Sequence, residues 1–253
     1  MTADLTDDLF FGGRLRLLQP RRGHRAGSDA ALLIAAARSR LGEGLSVADL
    51  GAATGAVGLS LALAGAGRVA LIEIDPGLAV VAEENVARNG LRDRVVVAAC
   101  DVAAAGARSG PPSIAAGAFG LVVANPPFDA VVRFRASPDP AKALAHAAPE
   151  TLIDDWSKAA ARLLKPGGSL VMIHRPEALD RLLRAVGPRF GDVRVLPIHR
   201  DAASPASRIL IAARKGRRGA LALLPGLVLH GEDGAFTPRA DAAQRGDVVL
   251  AMG

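Results

Sequence analysis

Seven short, β-rich apolar runs alternate with alanine- and leucine-rich stretches of helical length. This alternation restricts the chain to a parallel sheet covered by helices. The runs are LSVADLG (45–51), RVALIEID (68–75), RVVVAAC (94–100), FGLVVAN (119–125), SLVMIH (169–174), VRVLPIH (193–199) and SRILIAAR (207–214). Helices are predicted over 56–65, 76–89, 150–165 and 176–187. Ahead of the first run, SDAALLIAAARSRL (28–41) predicts another helix, with Ser28 as its N-cap. Asp154 and Asp155 suit the first turn of the 150–165 helix, and Lys165-Pro-Gly-Gly ends it.

The 253 residues suit one α/β domain, read as an N-terminal extension and helix (1–44), a core (45–214) and a C-terminal extension (215–253). The outer segments 1–26 and 215–253 are rich in glycine and arginine and lack clear periodicity. Loops at 103–118 and 129–149 follow the carboxyl ends of strands, where open α/β sheets keep their ligand sites. A net charge of +6 fits an anionic partner such as nucleic acid. The basic residues gather at Arg14, Arg16, Arg21, Arg22 and Arg25, at Arg133 and Arg135, and at Arg214, Lys215, Arg217 and Arg218. A lone Cys100 excludes an internal disulfide and a multi-cysteine metal site, and no two histidines have a metal-ligand spacing, so no metal is expected. His146 and His174 read as loop or core residues. No apolar run reaches the length of a membrane span, and the acidic MTADLTDDLF lacks a signal core, so a cytoplasmic protein is expected.

VADLGAATGAVGLSLA (47–62) combines a strand, a glycine-rich turn and a helix start, a geometry that lets the backbone approach a ligand closely. Glu73 ends the next strand, placed to accept hydrogen bonds from both hydroxyls of a ribose. Two cofactors fit. Ala53-x-Gly55-x-x-Gly58 lies one residue from the dinucleotide fingerprint. Asp49-x-Gly51-x-Ala53-x-Gly55 resembles the D-x-G-x-G-x-G turn of S-adenosylmethionine-dependent methyltransferases, with alanine at the middle glycine. Asp49 favours the second, because a carboxylate repels a pyrophosphate but suits the cationic amino-acid end of S-adenosylmethionine. Asp101, just past the third strand, adds an acceptor for an adenine amine.

The fourth strand ends in Asn125-Pro126-Pro127-Phe128. An exocyclic or amide nitrogen is a poor nucleophile because its lone pair is delocalised into the neighbouring π-system. Two oxygen acceptors that hold its two N–H bonds favour a pyramidal nitrogen aimed at an activated methyl group. The Asn125 side-chain oxygen and the Pro126 carbonyl supply that pair, and the two prolines hold the carbonyl rigid. Phe128 offers a flat face for a flipped base. These residues match the [DNS]-P-P-[YFW] motif of amino-methyltransferases, which act on adenine, cytosine or guanine amines or on protein glutamine.

The match reaches beyond the motif. GGRLRLLQPRRGHRAGSDAALLIAAA (12–37), DLGAATGAVGLSLA, LIEID, ANPPF, LLKPGG and SPASRILIAARKG (204–216) follow in that order. The arrangement resembles the bacterial tRNA adenine-N6 methyltransferases that modify the adenosine beside the anticodon of a valine tRNA. The resemblance implies a class I, Rossmann-like methyltransferase: a seven-stranded, mostly parallel sheet with helices on both faces and one antiparallel strand. It implies that Asp49, Gly51, Gly55, Glu73 and Asp101 bind S-adenosylmethionine, and that Arg25 and Asp29, in Arg-Ala-Gly-Ser-Asp, close over it. It implies that Asn125, Pro126, Pro127 and Phe128 engage the adenine and that tRNA is the partner. Three other readings stand beside it: a ribosomal guanine or protein glutamine acceptor, a non-catalytic RNA-binding module with a Rossmann-like core, and a dehydrogenase.

Overall fold

The computed structural model describes residues 4–23, 25–128 and 149–253. Arg133, Arg135, His146 and most of the 129–149 loop lie outside the described residues. The chain opens with an antiparallel hairpin, β1 (Leu5–Phe10) and β2 (Leu15–Pro20), followed by α1 (Ser28–Ala37). The core then alternates β3 (Ser46–Leu50), α2 (Ala56–Leu63), β4 (Arg68–Glu73), α3 (Pro76–Arg88), β5 (Val95–Ala99) and β6 (Phe119–Ala124). After these come α4 (Pro149–Leu163), β7 (Leu164–His174), α5 (Leu179–Val186), β8 (Phe190–His199) and β9 (Ala206–Lys215). The sheet order is β5-β4-β3-β6-β7-β9-β8, with β9 antiparallel to both neighbours and the other pairs among β3 to β7 parallel. This is the α/β architecture expected from the alternation. Two short strands, β10 (Ala222–Leu223) and β11 (Leu227–Val228), lengthen the β8 edge, and α6 (Pro238–Arg245) packs on α1.

Side chains alternate across the sheet, so each strand feeds two apolar layers. Val47 of β3 and Leu121 and Val123 of β6 enter the layer beneath α1, α2 and α3. Ala48 and Leu50, with Val122 and Ala124, enter the opposite layer with Trp156 of α4. The same alternation puts Asp49 and Asn125 on the α1/α2 face. Both ends of the chain join that layer through Phe11, Leu15 and Leu17 at one end and Leu250 and Met252 at the other.

Three local expectations change. Gly27, not Ser28, holds the cap position of α1, because Ser28 already has a helical backbone and no side chain caps the helix. Lys165-Pro-Gly-Gly does not form a separate stop: α4 ends at Leu163 and β7 starts at Leu164, with a register shift against β6. The terminal segments 1–26 and 215–253, read as aperiodic, carry the hairpin and β10, β11 and α6. Among the described residues no helix is long and apolar enough to cross a membrane.

The hairpin is fixed by two asparagines on one face of α3. Asn85 accepts from the Leu18 N–H at 2.7 Å and donates to the Leu18 and Thr54 carbonyls, both at 2.9 Å. Asn89 accepts from the Arg16 N–H at 3.0 Å and donates to the Arg16 carbonyl at 2.8 Å. Four helical residues rise about 6 Å and two strand residues about 6.6 Å, so the pair acts as a substitute strand along β2. Asn85 is fully buried and also holds the loop after β3. Replacing Asn85 with Ala strands three buried backbone groups, so urea unfolding of N85A is expected to show a loss of about 3 kcal/mol or more.

Candidate active site

The β3–β6 pairing sets the site. Leu50 lies opposite Ala124, so Gly51 and Asn125 leave the sheet side by side at its carboxyl edge. They open onto a cleft of about 280 Å³ whose lining includes Arg25, Asp29, Asp49, Gly51, Asn125 and Arg208. Glu73 and Asp101 stand further along the same edge, after β4 and β5, outside that lining.

The turn after β3 is braced from behind. The Ala52 N–H donates to the Ile72 carbonyl at 2.9 Å, and the Ala53 N–H to Glu73 Oε2 at 2.7 Å. Glu73 Oε1 accepts from the Asp75 N–H at 2.8 Å, so each oxygen keeps one lone pair for a further donor. Gly51 has φ +65, and a Cβ there would fall 2.5 Å from Trp156 Cη2; a Cβ at Gly55, with φ +90, would fall 2.9 Å from Leu71 Cδ1. These glycines therefore let the turn sit on the core as well as near a ligand. Ala53, at the middle glycine position of the motif, has φ 48. Its left-handed backbone costs roughly 1–2 kcal/mol.

Asp49 is only 3% exposed, and Oδ2 accepts from the Gly58 N–H at 2.8 Å in the first turn of α2. Burial pushes its carboxyl up to about 7, against the pull of that N–H and with a push from the Glu73 charge. No cationic side chain pairs with it among the described residues. A buried carboxylate facing a cleft without a counterion suits a cationic ligand group. Asp101 accepts from the Ala103 N–H through Oδ1 at 2.8 Å, which leaves its second oxygen available.

The segment ahead of α1 is fastened to the hairpin. Arg25 donates to Thr6 Oγ1 and the Pro20 carbonyl at 2.8 Å and to Asp8 at 2.7 Å, and the Ala26 N–H donates to Gln19 Oε1 at 3.0 Å. Asp29 pairs with Arg208, with Arg208 Nε 3.1 and 3.0 Å from the two carboxylate oxygens. Beyond Asn125, Pro126 is buried, Pro127 exposed and Phe128 half-buried. Phe128 meets the His174 ring edge-on at 4.9 Å, with the Arg208 and Arg175 guanidinium carbons 5.0 and 5.4 Å from its centroid. His174 Nδ1 accepts from the Arg175 N–H at 2.8 Å, and burial, with the Arg181, Arg175 and Arg208 charges, holds its pKa below the ordinary value. His174 is therefore a neutral ring beneath Phe128.

The basic clusters are arranged differently from the sequence reading. Arg14, Arg16, Arg21 and Arg25 pair with Asp247, Asp7, Asp4 and Asp8. Arg214 lies opposite Ser169, where β7 is still leaving α4, so Arg214 to Arg218 sit at the end of the sheet away from the cleft. The arginines that line the cleft are Arg25 and Arg208, with Arg175 beside Phe128; Arg175 and Arg208 fall in none of those clusters.

Comparison with known proteins gives this geometry its family. The methyltransferase small domain family matches residues 26–198. The chain belongs to that family. It is a methyltransferase, and its cofactor is S-adenosylmethionine. Among curated relatives, a Porphyromonas gingivalis protein named tRNA1(Val) (adenine(37)-N6)-methyltransferase is 32% identical over 202 residues, 75% of this chain and 76% of the relative. An Agrobacterium tumefaciens crystal structure, described as a predicted O-methyltransferase, is 27% identical with a TM-score of 0.71, covering 88% of this chain and 98% of that one. The Thermus thermophilus 16S rRNA N2 G1207 methyltransferase, solved with AdoMet and guanosine, shares the fold at 22% identity and a TM-score of 0.57, over 83% of this chain and 50% of that one.

Two variants test the turn. Asp49 binds its proton more tightly folded than unfolded, so its ionisation costs stability as pH rises from about 4 to about 7 and no further above that. Asp49→Asn lacks this loss. Its urea midpoint is expected to gain on the wild type up to about pH 7 and then run parallel. Ala53→Gly relieves the left-handed strain but adds flexibility worth roughly 0.5–1 kcal/mol, so its stability is expected to stay within about 1 kcal/mol of the wild type.

Proposed function

We propose that this methyltransferase modifies the exocyclic N6 amine of an adenine in tRNA. The observation that carries the reading is the position of Asn125 on the cleft, beside the turn that follows β3, with Phe128 against Arg208 of the same lining. The Asn125 side-chain oxygen and the Pro126 carbonyl hold the two N–H bonds of the amine. Pro126 is buried, its ring fixes φ, and Pro127 after it restricts ψ, so the Pro126 carbonyl is held in one direction. A hydroxyl acceptor offers one hydrogen and needs a base to take it. Two neutral oxygens suit an amine instead, whose methylated product loses its proton to water. The name of the Porphyromonas gingivalis relative supports adenine-N6 in tRNA as the target.

The bound cofactor supplies an electrophilic methyl group. In this reading the free oxygen of Asp49 accepts from its ammonium, Glu73 accepts from the ribose hydroxyls, and Asp101 accepts from the adenine amine. Gly51 and Gly55 shape the turn against which it lies. Arg25 and Asp29, tied to the hairpin and to β9, keep the lid segment over the cleft. Arg175 and Arg208 lie against the Phe128 ring, where the acceptor base and its flanking nucleotides pass. The 253 residues work as one unit, with 1–44 over the cofactor, 45–214 as the core and 215–253 as a C-terminal extension.

Purified protein is expected to transfer label from S-adenosylmethionine to bulk tRNA, with digestion yielding N6-methyladenosine. Label on guanosine, on protein alone, or nowhere would contradict the proposal. Asn125→Ala is expected to lower kcat by about a hundredfold or more while calorimetry shows cofactor binding retained. Lost cofactor binding would show that Asn125 serves the cofactor instead.

A further inference from the structure

Arg208 has a place that its number in the chain does not suggest. Because β9 runs antiparallel to β7, it is the start of β9 that reaches the carboxyl edge of the sheet, where Ile209 pairs with His174. That brings Arg208 to the same cleft as Asn125. Its Nε is held by both oxygens of Asp29, and its Nη1 donates to the Ser207 carbonyl at 2.8 Å. Nη2 has no hydrogen-bond partner among the described residues. The guanidinium lies over Phe128, its carbon 5.0 Å from the ring centroid.

Asp29 cancels most of the Arg208 charge, which weakens any pull on a phosphate. What remains is a flat surface and a directed N–H, fixed at one end by a carboxylate. A guanidinium so held stacks on planar rings and donates in its own plane. Phe128 does not stand alone as the surface for a base: Arg208 shares its ring, next to the oxygens that hold the amine.

We propose that Arg208, oriented by Asp29, is a specificity-determining residue that contacts the acceptor base, donating from Nη2 to the ring nitrogen beside the amine held at Asn125. The inference rests on the adenine reading and deepens it. Adenine carries unprotonated ring nitrogens, N1 and N7, on either side of its amine. Guanine carries an N–H at N1 beside its own. An arginine donor is satisfied by the first arrangement and opposed by the second on the Watson–Crick side. A plain latch between α1 and β9 is the competing role, and it makes different predictions.

The test uses the full-length protein and anticodon stem-loop RNA with adenosine, 1-deazaadenosine or 7-deazaadenosine at the position methylated in bulk tRNA. Arg208→Ala is expected to lower kcat/KM on adenosine RNA by about 10- to 100-fold, with cofactor affinity within about threefold and melting temperature little changed. One of the two deaza substitutions is expected to cost the wild type a similar factor and to cost R208A nothing further. Arg208→Lys is expected to recover only part of the rate, since it lacks the planar fork. Losses that multiply for both analogues, or weaker cofactor binding with a fall in melting temperature, would overturn the inference in favour of a latch. Adenine label with R208A as fast as the wild type would overturn it alone. Wild-type label on guanine only, or on no tRNA, would overturn it together with the adenine reading.

Discussion

The register of β3 against β6 is the constraint on which the site depends. Leu50 opposite Ala124 fixes Gly51 and Asn125 as neighbours, and side-chain alternation fixes Asp49 and Asn125 on the same face. A slip of one residue in either strand would turn Asp49 into the opposite apolar layer and lift Asn125 off the cleft. The apolar residues at 47, 48 and 50 on one strand and 121 to 124 on the other prevent it, because both faces are buried and each face accepts only one set. The chemistry thus inherits its alignment from core packing.

Around that fixed edge Asp49 and Glu73 have no ion-pair partner among the described residues, whereas Asp29 is paired with Arg208. Among the described residues Asp49 accepts only a backbone N–H, from the first turn of α2, and Glu73 braces the turn after β3 through the Ala53 N–H and its own loop through the Asp75 N–H. The hairpin arginines are matched by acids of the same hairpin or of the C-terminal segment, so they bind structure to structure. Asn85 and Asn89 complete the link, attaching the hairpin to α3 and α3 to the turn after β3. The N-terminal residues are thereby coupled to the cleft without any apolar repeat in their sequence.

This explains how far the sequence could be read. The seven core strands were legible because each is a compact apolar run between turn signals, and burial on both faces leaves no other use for such runs. Asp49, Gly51 and Asn125 were singled out by residue type and spacing, and Arg25 and Asp29 by the family resemblance; all five line one cleft. The hairpin was hidden because its pattern is inverted: Asp8 turns inward to Thr6, Gln19 and Arg25, while Leu9 is 72% exposed. In α6 the signals were local, with Thr237 capping, Pro238 first and Gly246 at the end, but the helix has too few apolar residues to show a stripe. The Asp29–Arg208 pair spans 179 positions, and no periodicity connects residues so far apart. Only the antiparallel course of β9 brings them together.

A structure of the protein with bound S-adenosylhomocysteine measures most directly whether the cofactor and the Asn-Pro-Pro-Phe turn share one reaction centre. The sulfur should point toward the Asn125 side-chain oxygen and the Pro126 carbonyl, with room between for a methyl carbon about 3–3.5 Å from an amine nitrogen. A sulfur directed away from Asn125, or separated from it by packed side chains, would contradict the assignment of this edge as the site of methyl transfer.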